Sequence, residues 1–368
     1  MDKIPTLSVR GINVNLIQGP MGVGISGKNL ASSVANAKGI KGTVNERNVG
    51  MIAAVGLGTL KGYPGSYEQA NIDALRDEIR TAKKISNGII GVNMLYALTD
   101  FEGLVKTAVE ENIDLITTGA GISRDFPRLV NNSKIKIIPI VSSLRLAKYI
   151  SKSWKKYGRT PDAFIVEGPK AGGHLGFNYS DLINGTTKNL ESIIKEVIDF
   201  ANNSFDNPIP VFGAGGIYTG KDIAKYEKFG AAGVQMATRF VTTLECDASD
   251  KFKQTYLVAN KKDIVFIESP VGMPGRVINN QFVENLKANG RQDFSCGYHC
   301  LKTCKPKESL YCIAEALIEA QRGNLSKGFA FAGENAYMAT RENCLDSDGD
   351  FITVETLIKR LSEEYNKD

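Results

Sequence analysis

Ala163-Phe164-Ile165-Val166-Glu167-Gly168-Pro169-Lys170-Ala171-Gly172-Gly173-His174-Leu175-Gly176 is an apolar run that opens into glycines around a histidine. A short apolar run bounded by a glycine turn reads as a buried strand, and glycine lets the backbone approach a ligand with no Cβ in the way. The histidine, one of two in the chain, therefore sits where a strand ends. Outward from this stretch the same kind of run recurs upstream at residues 14–19, 51–56, 89–95, 115–119 and 135–141, and downstream at 209–213 and 233–238. Amphipathic segments at residues 66–84, 101–111, 144–157, 190–202 and 220–229 separate them. Continuous apolar strands that alternate with helices are those of a parallel sheet covered on both faces. Eight such runs predict an α/β fold, a closed (β/α)8 TIM barrel, with its ligand face at the C-terminal strand ends.

After Arg239 the rhythm stops. Residues 240–334 carry helix-like pieces interrupted by Ser269-Pro270-Val271-Gly272-Met273-Pro274-Gly275-Arg276, and residues 353–365 read as a last amphipathic helix, the eighth of the barrel. The expected division is a barrel over residues 1–240, a helical substrate or lid subdomain over 241–345 folded across the barrel mouth, and a C-terminal helix over 346–368 packed on the barrel. The Pro/Gly turn is expected to wall the substrate side, with Arg276 drawing in an anionic substrate; the alternative is a solvent-facing loop with Arg276 paired to a carboxylate.

Composition narrows the class. The 368 residues are 42% hydrophobic and 23% charged, enough to bury a large core and unlike a disordered chain. The net charge of +5 comes from 45 basic against 40 acidic residues, interspersed along the chain. Runs such as Lys152-Ser153-Trp154-Lys155-Lys156 and Lys251-Phe252-Lys253 read as solvated helix faces, so no nucleic-acid partner is expected. No apolar stretch has signal-peptide or membrane-span length, which predicts a cytoplasmic enzyme with no membrane partner.

Cys296, Cys300, Cys304 and Cys312 are spaced four, four and eight apart, which on one helix would put them on one face. Grouped thiolates bind zinc or iron–sulfur clusters, yet this spacing matches neither paired CxxC ligands nor ferredoxin runs. The expectation is reduced, metal-free packing residues. Asp346-Ser347-Asp348-Gly349-Asp350 has its glycine too early for a calcium loop and reads as a turn.

Two further stretches carry chemistry. Ile209-Pro210-Val211-Phe212-Gly213-Ala214-Gly215-Gly216-Ile217 and Gly233-Val234-Gln235-Met236-Ala237-Thr238-Arg239-Phe240 are successive strands ending in small or hydroxyl residues. Such ends form a phosphate cradle of backbone N–H groups and a threonine hydroxyl. His174 has an ordinary pKa near 6.5, which suits it to proton transfer at neutral pH; the alternative is a loop-capping histidine. His299 lacks that context and reads as structural or surface-exposed.

Gln18-Gly19-Pro20-Met21, Gly91-Val92-Asn93-Met94, Thr117-Thr118-Gly119-Ala120-Gly121, Gly172-Gly173-His174-Leu175-Gly176, Gly213-Ala214-Gly215-Gly216-Ile217 and the 235–240 run appear in that order. Together they resemble the nitronate monooxygenase family, formerly 2-nitropropane dioxygenases, and its relative the FMN-dependent enoyl-acyl-carrier-protein reductase of the FabK type. The resemblance covers about residues 10–245 and, more loosely, the 269–276 turn. It implies bound FMN: Met21 and Asn93 would touch the flavin, Glu167 would lie near the ring or ribityl chain, and Gly172 and Gly173 would let the loop approach. Gly215, Gly216, Gln235, Met236, Ala237 and Thr238 would hold the phosphate, and His174 would be catalytic. The family usually has glycine where Ala237 stands, and the methyl limits close approach there. The implied reaction is oxidation of a nitronate by O2. The rivals are NAD(P)H-dependent reduction of an enoyl thioester and a non-redox barrel enzyme for a phosphorylated substrate.

Overall fold

Ile12–Gln18 pairs in parallel with both Glu46–Ala53 and Gly233–Met236, and that double pairing closes the sheet. Between them, in order around the ring, stand Ile89–Leu95, Leu115–Gly119, Lys136–Val141, Phe164–Glu167 and Val211–Ala214, all parallel. The protein is thus a (β/α)8 barrel in this computed structural model, which describes residues 4–130 and 134–367. Val14, Ile17, Met51, Leu115, Ile138, Ile165 and Phe212 fill its interior. Leu7–Val9 folds back antiparallel on residues 12–14 and adds Leu7 and Val9 to that core, closing the N-terminal end.

The helices Tyr67–Ile85, Leu144–Lys155, Leu190–Asn203 and Gly220–Lys228 start at Ser66, Ser143, Asn189 and Thr219, whose side chains each accept an N–H of the first turn. These local start signals explain why the sequence places those helices to within a residue or two. Lys28–Asn36 escapes the same reading. Its N-cap is Gly27, without a side chain to cap it, and the cap comes instead from Asp247, which accepts N–H groups of Gly27, Asn29 and Leu30. The second strand likewise starts at Glu46, five residues before its apolar run. Glu46 is bonded to Lys41 N and Thr43 Oγ1, and Asn48 donates to the carbonyls of Ala37 and Lys38, so polar residues are buried there with partners.

The eighth helix comes late. Val354–Tyr365 packs on Gly220–Lys228 so closely that a Cβ on Gly220 would lie 2.0 Å from the Leu361 carbonyl oxygen, and Ser362 donates to Ile40 O at 2.7 Å. Residues between the eighth strand and this helix are therefore an excursion inserted into the last βα unit. It holds the helices Asp250–Val258, Gln281–Asn289 and Ile313–Gln321, and also a β-hairpin that the sequence reading passed over. Ile264–Glu268 pairs antiparallel with Pro274–Ile278, which in turn pairs with Gly173–His174 of the barrel loop.

The cysteine segment corrects one expectation. Residues 291–312 contain no helix, and Pro306 stands inside the stretch that four-residue spacing made helical. Burial pushes the Cys300 thiol up to about 12 and raises Cys312 in the same sense. Among the described residues no three His, Cys, Asp or Glu side chains are grouped so as to hold a metal. His299 is exposed with φ +46°, and its carbonyl accepts from Thr99 Oγ1. Residues 346–350 form a turn in which Asp346 Oδ1 accepts the N–H groups of Asp348 and Asp350. Among the described residues no helix is long and apolar enough to cross a membrane.

Candidate active site

At the C-terminal strand ends lies a cavity of about 300 Å³. Met21, Asn93, Glu167, Gly172, Gly173 and His174 line one part of it, and Gly215, Gly216, Gln235, Met236, Ala237 and Thr238 another. All twelve expected site residues therefore converge on one space.

The glycine end is a set of donors. Gly215 has φ +96°, and a Cβ there would meet Ala171 N at 2.9 Å, so only glycine makes this turn against the 168–171 loop. Among the described residues no acceptor meets the backbone N–H of Gly215, Gly216 or Ala237. Thr238 Oγ1 accepts Gly333 N at 3.1 Å, which leaves its hydroxyl proton to give. The Ala237 methyl is absorbed by Gly19, where an added Cβ would come within 2.7 Å of Ala237 Cβ. N–H and O–H donors with no carboxylate among them fit a phosphate.

Across the cavity the groups are uncharged. Asn93 Nδ2 is fixed on Thr117 Oγ1 at 2.9 Å, while among the described residues its amide oxygen accepts no hydrogen bond. Gln235 Oε1 is buried without a partner. The Asn93 oxygen fits the N–H edge of a heteroaromatic ring, and the Gln235 oxygen lies on the strand that leads into the cradle. Burial pushes the Glu167 carboxyl up to about 8 and holds the His174 imidazole down to about 4, so both are neutral at pH 7. Among the described residues no Lys or Arg lines the cavity. His174 Nε2 lies 2.7 Å from Ser269 Oγ, and its ring meets the Phe331 ring at 4.9 Å and 64°.

The excursion covers this end with Met273, Phe329, Phe331 and Ala332. The 269–276 turn thus stands at the barrel mouth, as expected, but Arg276 does not serve a substrate. It is 6% exposed, its Nη1 donates to the carbonyls of Pro169 and Ala171 at 2.7 and 2.9 Å, and its guanidinium lies 4.6 Å from the Phe266 ring centroid. Pairing in register with Gly173 carries Arg276 under the glycine loop, where it staples inward-facing carbonyls. Sequence reasoning gave no role to Ser269, Phe329 or Phe331. The alternation Gly328-Phe329-Ala330-Phe331-Ala332-Gly333 was the available signal, since it reads as extended chain with both aromatics on one face.

Fold and site define a (β/α)8 barrel with unpartnered backbone donors at the ends of its last two strands and a neutral histidine beyond its sixth. The chain belongs to the nitronate monooxygenase family, whose sequence profile matches residues 99–364. The match runs through the excursion, which the sequence motifs had left largely outside. Among curated relatives, the chain is 28% identical over 257 residues to the (3aS,4S,5R,7aS)-5-hydroxy-7a-methyl-1-oxo-octahydro-1H-indene-4-carboxyl-CoA dehydrogenase of Rhodococcus jostii, spanning 70% of this chain and 63% of that one. The Mycobacterium tuberculosis protein of the same name is 26% identical over 289 residues, 78% of this chain and 70% of that one. A probable nitronate monooxygenase of Staphylococcus haemolyticus is 26% identical, over 60% of this chain and 59% of its own length. The matches thus span less than two thirds of the Rhodococcus and Staphylococcus relatives. Among solved structures, FabK from Thermotoga maritima superposes with a TM-score of 0.71 at 23% identity, over 99% of this chain and 97% of its own. Nitroalkane oxidase from Streptomyces ansochromogenes gives 0.69 at 18% identity, over 95% of each chain. These two likenesses show the fold.

Proposed function

We propose that the protein is an FMN-dependent nitronate monooxygenase, in which two alkyl nitronates and one O2 give two carbonyl compounds and two nitrites. The observation that carries this reading is one cavity holding both an anion cradle and a neutral imidazole. FMN, when bound, supplies the redox chemistry that passes substrate electrons to oxygen. The unpaired N–H groups of Gly215, Gly216 and Ala237, with the Thr238 hydroxyl, would hold its phosphate, flanked by Gln235 and Met236. Met21, Asn93 and a protonated Glu167 would meet the ring and ribityl chain, and Gly172 and Gly173 leave room for them. His174 would deprotonate a nitroalkane to the nitronate or, where the nitronate itself is the substrate, stabilise that anion, and the wall of Met273, Phe329 and Phe331 keeps water from the site.

A second reading is NAD(P)H-dependent reduction of an enoyl thioester. It is favoured by the absence of Lys and Arg from the cavity wall, which suits a neutral substrate. An open groove along Arg145, Thr186 and Lys188 also shares Ser142, Gly176 and Met273 with the cavity, and offers room for a nucleotide or pantetheine arm. Anaerobic mixing separates the readings. Bleaching of the flavin band by a nitronate at a catalytically useful rate, with none by NADH, supports the monooxygenase; bleaching by NADH alone transfers the protein to the reductases. A purified protein that binds no flavin would leave only a non-redox barrel enzyme.

A further inference from the structure

Among the described residues, the part of the cavity wall that the excursion supplies carries no charged side chain. Helix Asp250–Val258 contributes Phe252 and Tyr256, helix Ile313–Gln321 contributes Leu317, and the chain beyond it contributes Phe329 and Phe331. The polar groups of this wall are already committed. The Tyr256 hydroxyl donates to the Phe331 carbonyl at 2.5 Å, Ala332 N to the Arg276 carbonyl at 3.1 Å and Gly333 N to Thr238 Oγ1 at 3.1 Å. Phe252 and Tyr256 share one hydrophobic cluster with Val23 and Ile25, which follow Met21 in the loop after the first barrel strand and also line the cavity. Leu317 packs against that cluster but is only half-buried, although its neighbours Ala316 and Ile318 are both 2% exposed. An apolar side chain left open inside a cavity is surface for a ligand to cover.

We propose that Phe252 and Leu317 are specificity-determining residues, whose chamber takes the uncharged hydrocarbon part of the substrate and turns away a nitronate that carries a second, carboxylate charge. The nature of the reacting head rests on the function proposed above; the chamber does not. Phe331 joins the chamber to the histidine, because its ring lies 4.9 Å from the His174 ring and its carbonyl holds Tyr256. Phe329 meets the Phe331 ring edge-on at 5.3 Å and extends the same apolar surface. A substrate whose reacting carbon lies at His174 therefore meets hydrocarbon on the side of the excursion. A carboxylate there would lose its water and find no cation, whereas each methylene buried should strengthen binding about fourfold. Rejection by an unpaired buried charge and attraction by buried hydrocarbon then act in the same direction.

Two titrations of the holoenzyme test this. In the first, kcat/KM is measured for the nitronates of nitroethane, 1-nitropropane and 1-nitrobutane, and for those of 3-nitropropanoate and its uncharged isostere 3-methyl-1-nitrobutane. The value should rise about fourfold per methylene, and the carboxylate should fall at least ~10²-fold below its isostere. Leu317→Trp narrows the chamber and should flatten the series; Leu317→Arg supplies a cation and should narrow the gap between carboxylate and isostere at least ~10-fold. Phe252→Leu opens the chamber and should favour longer chains, which gives a second reading should a Leu317 variant not fold. A flat series in the wild type, equal use of carboxylate and isostere, or folded variants that keep the wild-type ratios would overturn the proposal. In the second titration, unreactive alkyl amides from propanamide to hexanamide are bound and followed by calorimetry, with the same fourfold step in Kd expected. Amides that bind in this series to an enzyme that oxidises no nitronate would count against the proposed reaction and for the chamber. Nitronates oxidised with no preference for length or charge would count against the chamber alone.

Discussion

The two ends of the cavity are built by opposite means. Gly215 and Gly216 come directly off Val211–Ala214, and Ala237 and Thr238 directly off Gly233–Met236, two strands that are bonded neighbours in the ring. The histidine end is assembled from a distance: His174 follows the sixth strand, Ser269 reaches it from 95 residues on, and Phe331 from further still. On the proposed function, anchoring of a cofactor would depend on short-range geometry inside the barrel, and proton transfer on the seating of the excursion. The two functions should therefore fail separately.

Gly215→Leu should produce the largest effect, loss of the flavin altogether. The residue would have to adopt φ +96° with its Cβ 2.9 Å from Ala171 N, across the cradle itself. Circular dichroism and the visible spectrum together check this, and a folded variant with full flavin content would mean that the cradle lies elsewhere. His174→Ala should do the reverse, keeping the flavin while turnover falls by roughly 10²- to 10⁴-fold. Unchanged turnover with a neutral nitroalkane would make the histidine a loop cap.

Arg276→Ala tests whether the loop between the two ends is held mechanically. It leaves the Pro169 and Ala171 carbonyls without their donor, at about 1–3 kcal/mol for each unsatisfied group. Urea unfolding should show that loss with little change in KM; an increased KM for an anionic substrate at unaltered stability would return Arg276 to substrate binding.

A smaller, pH-dependent difference is expected at Glu167. Its carboxyl titrates at about 8 in the folded protein against 4.5 ordinarily, so its contribution to stability is full below 4.5 and is lost as pH rises through about 8. Glu167→Gln cannot ionise and should lose less Tm between pH 4.5 and about pH 8, the window those two values set. Superimposable Tm curves for variant and wild type would show that Glu167 is already ionised at neutral pH.

The same contrast explains what was legible in the sequence. Barrel strands are buried on both faces and so are written as continuous apolar runs, and the cradle was visible because its residues adjoin those runs. Helices with a serine, asparagine or threonine at the start were equally plain. Lys28–Asn36 was not, because its cap is Asp247, contributed by the excursion. Arg276 looked like an anion site because a cation on a Pro/Gly turn reads as exposed, and only the pairing with Gly173 buries it. The cysteine spacing suggested a helix that the chain around Pro306 does not form. Ser269 stood in a quoted turn with nothing local to show that it meets a histidine 95 residues away.

The central claim is that the cradle and the neutral ring end together hold FMN. The most direct test is to purify the protein, record its visible spectrum, then unfold it and quantify the nucleotide released. The account predicts a protein-bound flavin spectrum and a single FMN released per chain. A folded protein that yields no FMN, and takes up none when it is added, would contradict it.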